Sequence, residues 1–252
     1  MKQFFDLIRV RALAELRAEA ARGYFGFWWW ILEPALYLGV FYVVFGLVFE
    51  RGGPGFMVFL VCGLFPWKWF DSSVRNGATA ITANAGLVRQ VYLPKSFFAL
   101  VVVAVNTMKF AFVLLVLLGF LWLAGVAPGP AWFGAVPVLG VQLYLIVSVA
   151  LFFSAVVPLL PDLRLVINNG LTLWFFLSGV FYDIRTAEGW IRTLFHLNPM
   201  ALIIDQYRRV FIDGLAPEPS MLLWVGVLAS PFLAAGMLML QRWDRHYPKI
   251  VA

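Results

Sequence analysis

Six apolar runs of 16–30 residues dominate this sequence, against the roughly 20 that cross a hydrocarbon core. They fall at 28–49, 55–74, 97–126, 132–160, 166–181 and 221–241. Turn signals separate several of them: Arg51-Gly52-Gly53-Pro54, Pro128-Gly129-Pro130 and Pro161-Asp162. The chain is 63% hydrophobic and 13% charged, whereas soluble domains average about 45–50% and about 25%. A water-soluble globule of 252 residues could not hide that much apolar surface. An all-α polytopic membrane protein of six transmembrane helices is expected, as a single domain over residues 1–252.

The basic residues set its direction. With both termini inside, the cytoplasmic segments hold 12 of the 19 Lys and Arg residues and the outer segments hold 5. Lys68 and Lys109 fall within runs. Loops rich in Lys and Arg stay in the cytoplasm. The first 27 residues form a charged arm, longer and more acidic than the leading part of a signal peptide, so the first run is expected to be retained.

Three segments are not spans. Along 1–22, Phe5, Ile8, Ala12, Leu13 and Leu16 share one helical face, with Arg9 and Glu19 interrupting it. An amphipathic interface helix on the inner leaflet, within 1–27, is the preferred reading. A helix packed on another subunit is the alternative. The cytoplasmic loop 77–96 is long and moderately apolar, with Leu87, Val91 and Tyr92 on a small helix. It suits a protein contact better than a tether, though plain packing beneath the spans stays open. The outer segment 182–220 reads as two short apolar helices, the first capped by Thr186 and broken at Asn198-Pro199. Neither is long enough to span, so a re-entrant helical hairpin between runs five and six is expected. Two helices lying flat on the leaflet are the alternative.

Chemistry is sparse. No phosphate-binding G-x-x-x-x-G-K-[ST] loop occurs, nor G-x-S-x-G, H-E-x-x-H or C-x-x-C. Cys62 is alone and the two histidines, His196 and His246, are far apart, which argues against a metal centre. The net charge of +6 is too sparse for nucleic acid. No catalytic residue or cofactor is expected in this chain. Intramembrane charges are functional suspects by default. Glu33, before Pro34, falls near an interface. Lys68, Asp71 and Arg75 lie one turn apart and are read as mutually neutralising, while Lys109 has no local acid and its role is left open. Aromatics make up 17% of the chain. Interfacial belts account for those near run ends, but not for Phe41, Tyr42, Phe45, Trp174, Phe175 and Phe176. Stacking on sugars and ordinary packing are equally compatible with these.

Four stretches carry a resemblance. Gly23-Tyr24-Phe25-Gly26-Phe27-Trp28-Trp29-Trp30 leading to Glu33-Pro34, Gly63-Leu64-Phe65-Pro66-Trp67, Asn84 to Lys95, and Leu197-Asn198-Pro199-Met200 with Arg208 or Arg209 occur in order along nearly the whole chain. Together they resemble the ABC-2 type permeases that export bacterial polysaccharides. Lys68 departs from that pattern, which is usually apolar there.

The resemblance implies a homodimer in the bacterial cytoplasmic membrane, bound to two separate ATP-binding cassette subunits that carry the ATP and Mg. The substrate would be a lipid-linked glycan of O-antigen, capsule or teichoic acid type. It points to Trp28, Trp30, Phe41, Tyr42, Phe45, Trp174 and Phe175 on the substrate path. Leu87, Arg89, Gln90, Tyr92, Pro94 and Lys95 would couple to the ATPase. Asn198, Pro199, Arg208 and Arg209 would form an outer gate, with a salt bridge from Arg208 or Arg209 to Asp205 equally compatible. An ABC-2 exporter of a small molecule or lipo-oligosaccharide is the rival. A secondary carrier would show repeats, and a lipid-modifying enzyme would show clustered His or Asp.

Overall fold

The structure, a computed structural model, describes residues 2–21 and 54–250, with Trp28, Leu32, Ala35, Leu36, Gly39, Val40, Val43 and Val44 between them. Most of the first expected span lies outside the described residues, and with it Trp30, Glu33, Phe41, Tyr42 and Phe45. The described residues are mostly helical, with no strand among them. In chain order they form α1 (Lys2–Ala21), α2 (Pro54–Ala78), α3 (Ala80–Ala83), α4 (Ala85–Gln90), α5 (Ser96–Leu123) and α6 (Ala135–Val156). These are followed by α7 (Leu163–Leu177), α8 (Gly189–His196), α9 (Pro199–Phe211), α10 (Pro219–Arg242) and α11 (Tyr247–Ile250). Short 3-10 turns at Pro130–Gly134 and Ile184–Thr186 lead into α6 and α8.

Three of these helices are long and apolar enough to cross a membrane: α5, α6 with its leading turn, and α10. The 25-residue α2 has the length but carries Lys68, Asp71 and Arg75. The fifth expected run is corrected at both ends. In place of 166–181 the helix covers Leu163–Leu177, 15 residues, or about 22 Å at 1.5 Å per residue. It stops because Gly179 turns the chain at φ +69°, where an added Cβ would meet Ile184 Cγ2 at 2.5 Å.

Packing explains the layout. Helix α2 sits among α5, α6, α7 and α9, and α10 lies most extensively against α6. That last pair approaches closely because Gly236 has no side chain: a Cβ there would sit 2.7 Å from the Phe152 backbone nitrogen. Two apolar cores result. One joins α2, much of α5 and α6, α7, α9 and the first half of α10; the other joins α1, α3, α4, the start of α5 and the ends of α6 and α10. Tyr247 of α11 is buried in the second core and donates to the Ala155 carbonyl at 3.0 Å. So α1, the 79–95 loop and the C-terminal turn share one end of the bundle, while the 130–134 turn and α9 share the other.

Helix α1 runs lengthwise along the first half of α5, with Phe4 edge-on to Phe97 at 6.2 Å. Its buried face is Phe4, Ile8, Ala12 and Leu16, whereas Phe5, expected on that face, is 64% exposed. Ile8, Ala12 and Leu16 thus lie on the expected face, and Phe4 takes the place of Phe5. Glu19, the acidic break in the stripe, pairs with Lys109 of α5 at 2.6 Å. The lysine without a local acid thus meets a carboxylate 90 residues away in sequence.

Candidate functional site

At the α9 end, Asn198 builds the corner. Its side-chain oxygen accepts from the backbone N–H groups of Met200 and Ala201 at 3.1 and 3.2 Å, capping α9, with Pro199 at the first helical position. The same oxygen accepts from Trp174 Nε1 at 2.8 Å, and the Asn198 amide donates to the Leu177 carbonyl at 2.9 Å. One residue therefore caps α9 and ties it to α7. The preceding helix starts at Gly189, with Glu188 at its cap position, rather than at Thr186. The Thr186 hydroxyl instead donates back to the Asp183 carbonyl at 2.8 Å and closes the 3-10 turn.

Arg208 lies in the interior, 4% exposed. It donates to the carbonyls of Gly179 and Val180 at 2.7 and 2.9 Å, with longer contacts to Tyr182 and Phe59. Its guanidinium lies over the Phe59 ring at 3.4 Å. Gly63 makes the space: a Cβ there would stand 3.0 Å from Arg208 Nη2. Arg209 pairs with Glu218 at 2.9 Å and donates to the Ala216 carbonyl. Asp205 is taken by Arg185, which also holds Asp213, each at 2.6 Å. The salt bridge considered between Asp205 and Arg208 or Arg209 is thus made by Arg185 instead. These three carboxylates, Arg185, Arg192, His196 and Phe195 surround a surface pocket of about 290 Å³.

Deeper, Tyr207 donates to Gln142 at 2.8 Å, and Gln142 donates to the Pro66 carbonyl at 2.8 Å. Both side chains are fully buried, and this chain of bonds ties α9, α6 and α2 together at the proline inside α2. Gln142 was findable in the sequence, as an amide in the middle of an apolar run. Tyr207 and Arg185 carry no comparable local signal.

Between α2 and α7, Trp67 packs against Trp174 and Phe175 at 6.2 and 5.6 Å, and Phe70 meets Trp174 at 5.2 Å. Arg75 bonds Asp71 at 2.7 Å on its own helix and crosses to Asn168 and Thr172 of α7 at 3.1 and 3.2 Å. A groove of about 270 Å³ lies here, lined by Trp67, Lys68, Asp71, Arg75, Phe175 and Phe176 among others. Of the expected path residues, Trp174 and Phe175 are brought to this groove region half-buried. Trp28 is 67% exposed.

At the opposite end, α4 presents Arg89 and Gln90 exposed, with Leu87 half-buried and packed toward the second core. Tyr92 is 78% exposed and donates to Asp244 at 2.9 Å. That bond to the carboxylate raises the tyrosine hydroxyl above its usual pKa. Pro94 is exposed, but Lys95 is buried, donating to the Leu93 carbonyl at 3.1 Å beneath the Tyr92 ring. Lys95 therefore braces the loop from inside, and the outward-facing coupling candidates are Arg89, Gln90, Tyr92 and Pro94.

Residues 12–212 match the family described as ABC-2 type transporter. The chain is 30% identical over 239 residues to the O-antigen export system permease protein RfbA of Myxococcus xanthus, covering 92% of this chain and 90% of that protein. It is 29% identical over 214 residues to the RfbA permease of Klebsiella pneumoniae, covering 83% and 82%. It is 26% identical over 231 residues to the polysialic acid transport protein KpsM of Escherichia coli, covering 89% and 88%.

Proposed function

Because the chain belongs to the ABC-2 type transporter family, we propose that it is the transmembrane subunit of an ATP-driven exporter. The cargo in this reading is a lipid-linked polysaccharide crossing the bacterial cytoplasmic membrane. The observation that carries the proposal is similarity, over 83–92% of the chain, to permeases named for O-antigen export and polysialic acid transport. The relatives compared are named for polysaccharide transport, which favours this cargo over a small molecule or lipo-oligosaccharide.

The subunit works as a homodimer with two ATP-binding cassette subunits, which hold the ATP and Mg. Each copy contributes six spans, with both termini, the 77–96 loop and the α1 end of the bundle in the cytoplasm. The 12-to-5 distribution of basic residues supports this direction. Helix α1 begins at the inner interface, and the segment 182–220 is a re-entrant hairpin closing the outer mouth.

The polymer passes between subunits along Trp28, Trp30, Phe41, Tyr42, Phe45, Trp174 and Phe175, where ring faces bind sugars weakly enough to release them. Asn198, Pro199, Arg208 and Arg209 hold the outer gate together. The ATPase subunit docks on Arg89, Gln90, Tyr92 and Pro94, with Leu87 and Lys95 behind them, and its closure moves the loop as a rigid body.

The test truncates one docking side chain and the residue that supports the loop behind it: Tyr92→Ala together with Leu87→Ala. Surface polysaccharide is expected to fall and the ATPase subunit to dissociate or hydrolyse ATP without export, at unchanged permease abundance. An intact complex with undiminished surface glycan would overturn the docking role.

A further inference from the structure

The segment after α10 does not trail off from the helix. Trp243 donates its backbone N–H to the Met239 carbonyl, His246 to Trp243, and Lys249 and Ile250 to His246. Tyr247 then fixes α11, buried in the second core with its hydroxyl on the Ala155 carbonyl at the end of α6. Upstream, Gly236 lets α10 meet the α6 backbone at Phe152. Contacts to the last turns of α6 thus lie on both sides of the 243–246 turn, and they join the segment and the two helix ends into one body.

The loop 77–96 rests on that body in two places. Helix α11 lies against α4, and Asp244 accepts from the Tyr92 hydroxyl at 2.9 Å. Hydrogen bonds to an ionised acceptor are the stronger kind. Beside this bond the loop and α10 stand apart, with a cleft of about 320 Å³ lined by Pro94 and Ser96 on one side and Met237 and Gln241 on the other. The bond is therefore a discrete link across an open cleft. On the loop side, Lys95 lies under the Tyr92 ring, 5.5 Å from its centre, and donates to the Leu93 carbonyl. Tyr92 is held from both directions.

Resting on the export reading above, we propose that the segment 243–250 is a strut that carries the ATPase's movement from the docking loop to α10 and α6, with Asp244 as the residue that positions Tyr92. The chain itself joins the loop to α2 and α5; the strut adds the other two helices. Coupling of this kind needs contiguous contacts whose ends both move. A displacement of Tyr92 pulls on Asp244, and the paired ends of α10 and α6 follow. With the link cut, the ATPase still docks on Arg89, Gln90 and Pro94 and still hydrolyses ATP. Its closure then moves α2 and α5 without α10.

Hydrolysis is measured on the permease and its ATP-binding subunit reconstituted in phosphatidylethanolamine and phosphatidylglycerol vesicles. Surface polysaccharide per assembled complex is measured in cells lacking the native chain. Asp244→Ala is expected to keep the ATP-binding subunit bound and hydrolysis within about twofold of native. Surface polysaccharide should fall about threefold or more, the scale of one coupled contact. Asp244→Asn keeps an accepting oxygen and should restore most of the export. Tyr92→Phe keeps the ring but cannot donate. Combined with Asp244→Ala it is expected to export no less than the poorer single variant, because both changes remove the same bond. Native-level export by Asp244→Ala, or losses that multiply in the double variant, overturns the strut. Loss of the complex and of hydrolysis together with export overturns it as well, since the segment would then be only scaffold. If the native permease holds no ATP-binding subunit, the docking reading itself fails and the strut falls with it.

Discussion

Four backbone carbonyls converge on the buried Arg208 guanidinium, from Phe59 in α2 and from Gly179, Val180 and Tyr182 beyond α7. A sequence displays side chains, so it offers Asp205, three residues earlier, as the natural partner. Nothing in it shows that the acceptors are peptide oxygens at a helix end. Truncation by Arg208→Ala would leave those oxygens dry and vacate the space that Gly63 provides. A buried acceptor left unpaired costs about 1–3 kcal/mol, and two of these bonds are short. The melting temperature of the detergent-purified protein is therefore expected to drop sharply, by an amount matching several kcal/mol on this scale. An unchanged melt would show that Arg208 serves substrate rather than fold. Lys109 teaches the same lesson about range: its acid, Glu19, was visible in the sequence only as a blemish on another helix.

Helix ends are legible in the sequence where the chemistry is local and hidden where it is not. The Asn198-Pro199 break is a capping residue followed by a fixed φ, and the structure starts α9 there. Thr186 had the right residue type for a cap, yet its hydroxyl is spent on Asp183, and α8 begins three residues later. The end of α7 depends on Gly179 wrapping toward Arg208, a tertiary demand that an apolar run through Val180 and Phe181 conceals. Asn198→Ala should remove the α9 cap and orphan the Trp174 indole N–H. The expected cost is about 1–2 kcal/mol, which would speed hydrogen exchange at the Met200 and Ala201 amides by about tenfold. Asn198→Asp keeps the accepting oxygen and should retain most of the protection. Equal exchange in the native and alanine proteins would mean that packing, not the cap, holds the corner.

At the scale of the whole molecule, the helical class was legible because hydrophobic runs and their interruptions are properties of the chain itself. The division into two cores was not, since it depends on which helix ends meet. That division carries a topological consequence. Helix α1, the loop bearing Arg89 and Lys95, and the segment bearing Arg242, Arg245 and Lys249 gather at one end of the bundle. The 130–134 turn and α9 gather at the other, with Trp132 against Phe211 at 5.5 Å. If basic loops remain inside, the first end faces the cytoplasm and the hairpin faces out. Cys62 is fully buried, so the native chain should give little background with a membrane-impermeant thiol reagent. In intact cells Ser220→Cys is expected to react, and Gln90→Cys only after permeabilisation; both positions are exposed. Labelling of Gln90→Cys but not Ser220→Cys would invert the molecule in the membrane. The hairpin would then be a cytoplasmic feature, and the 77–96 loop could no longer meet an ATPase.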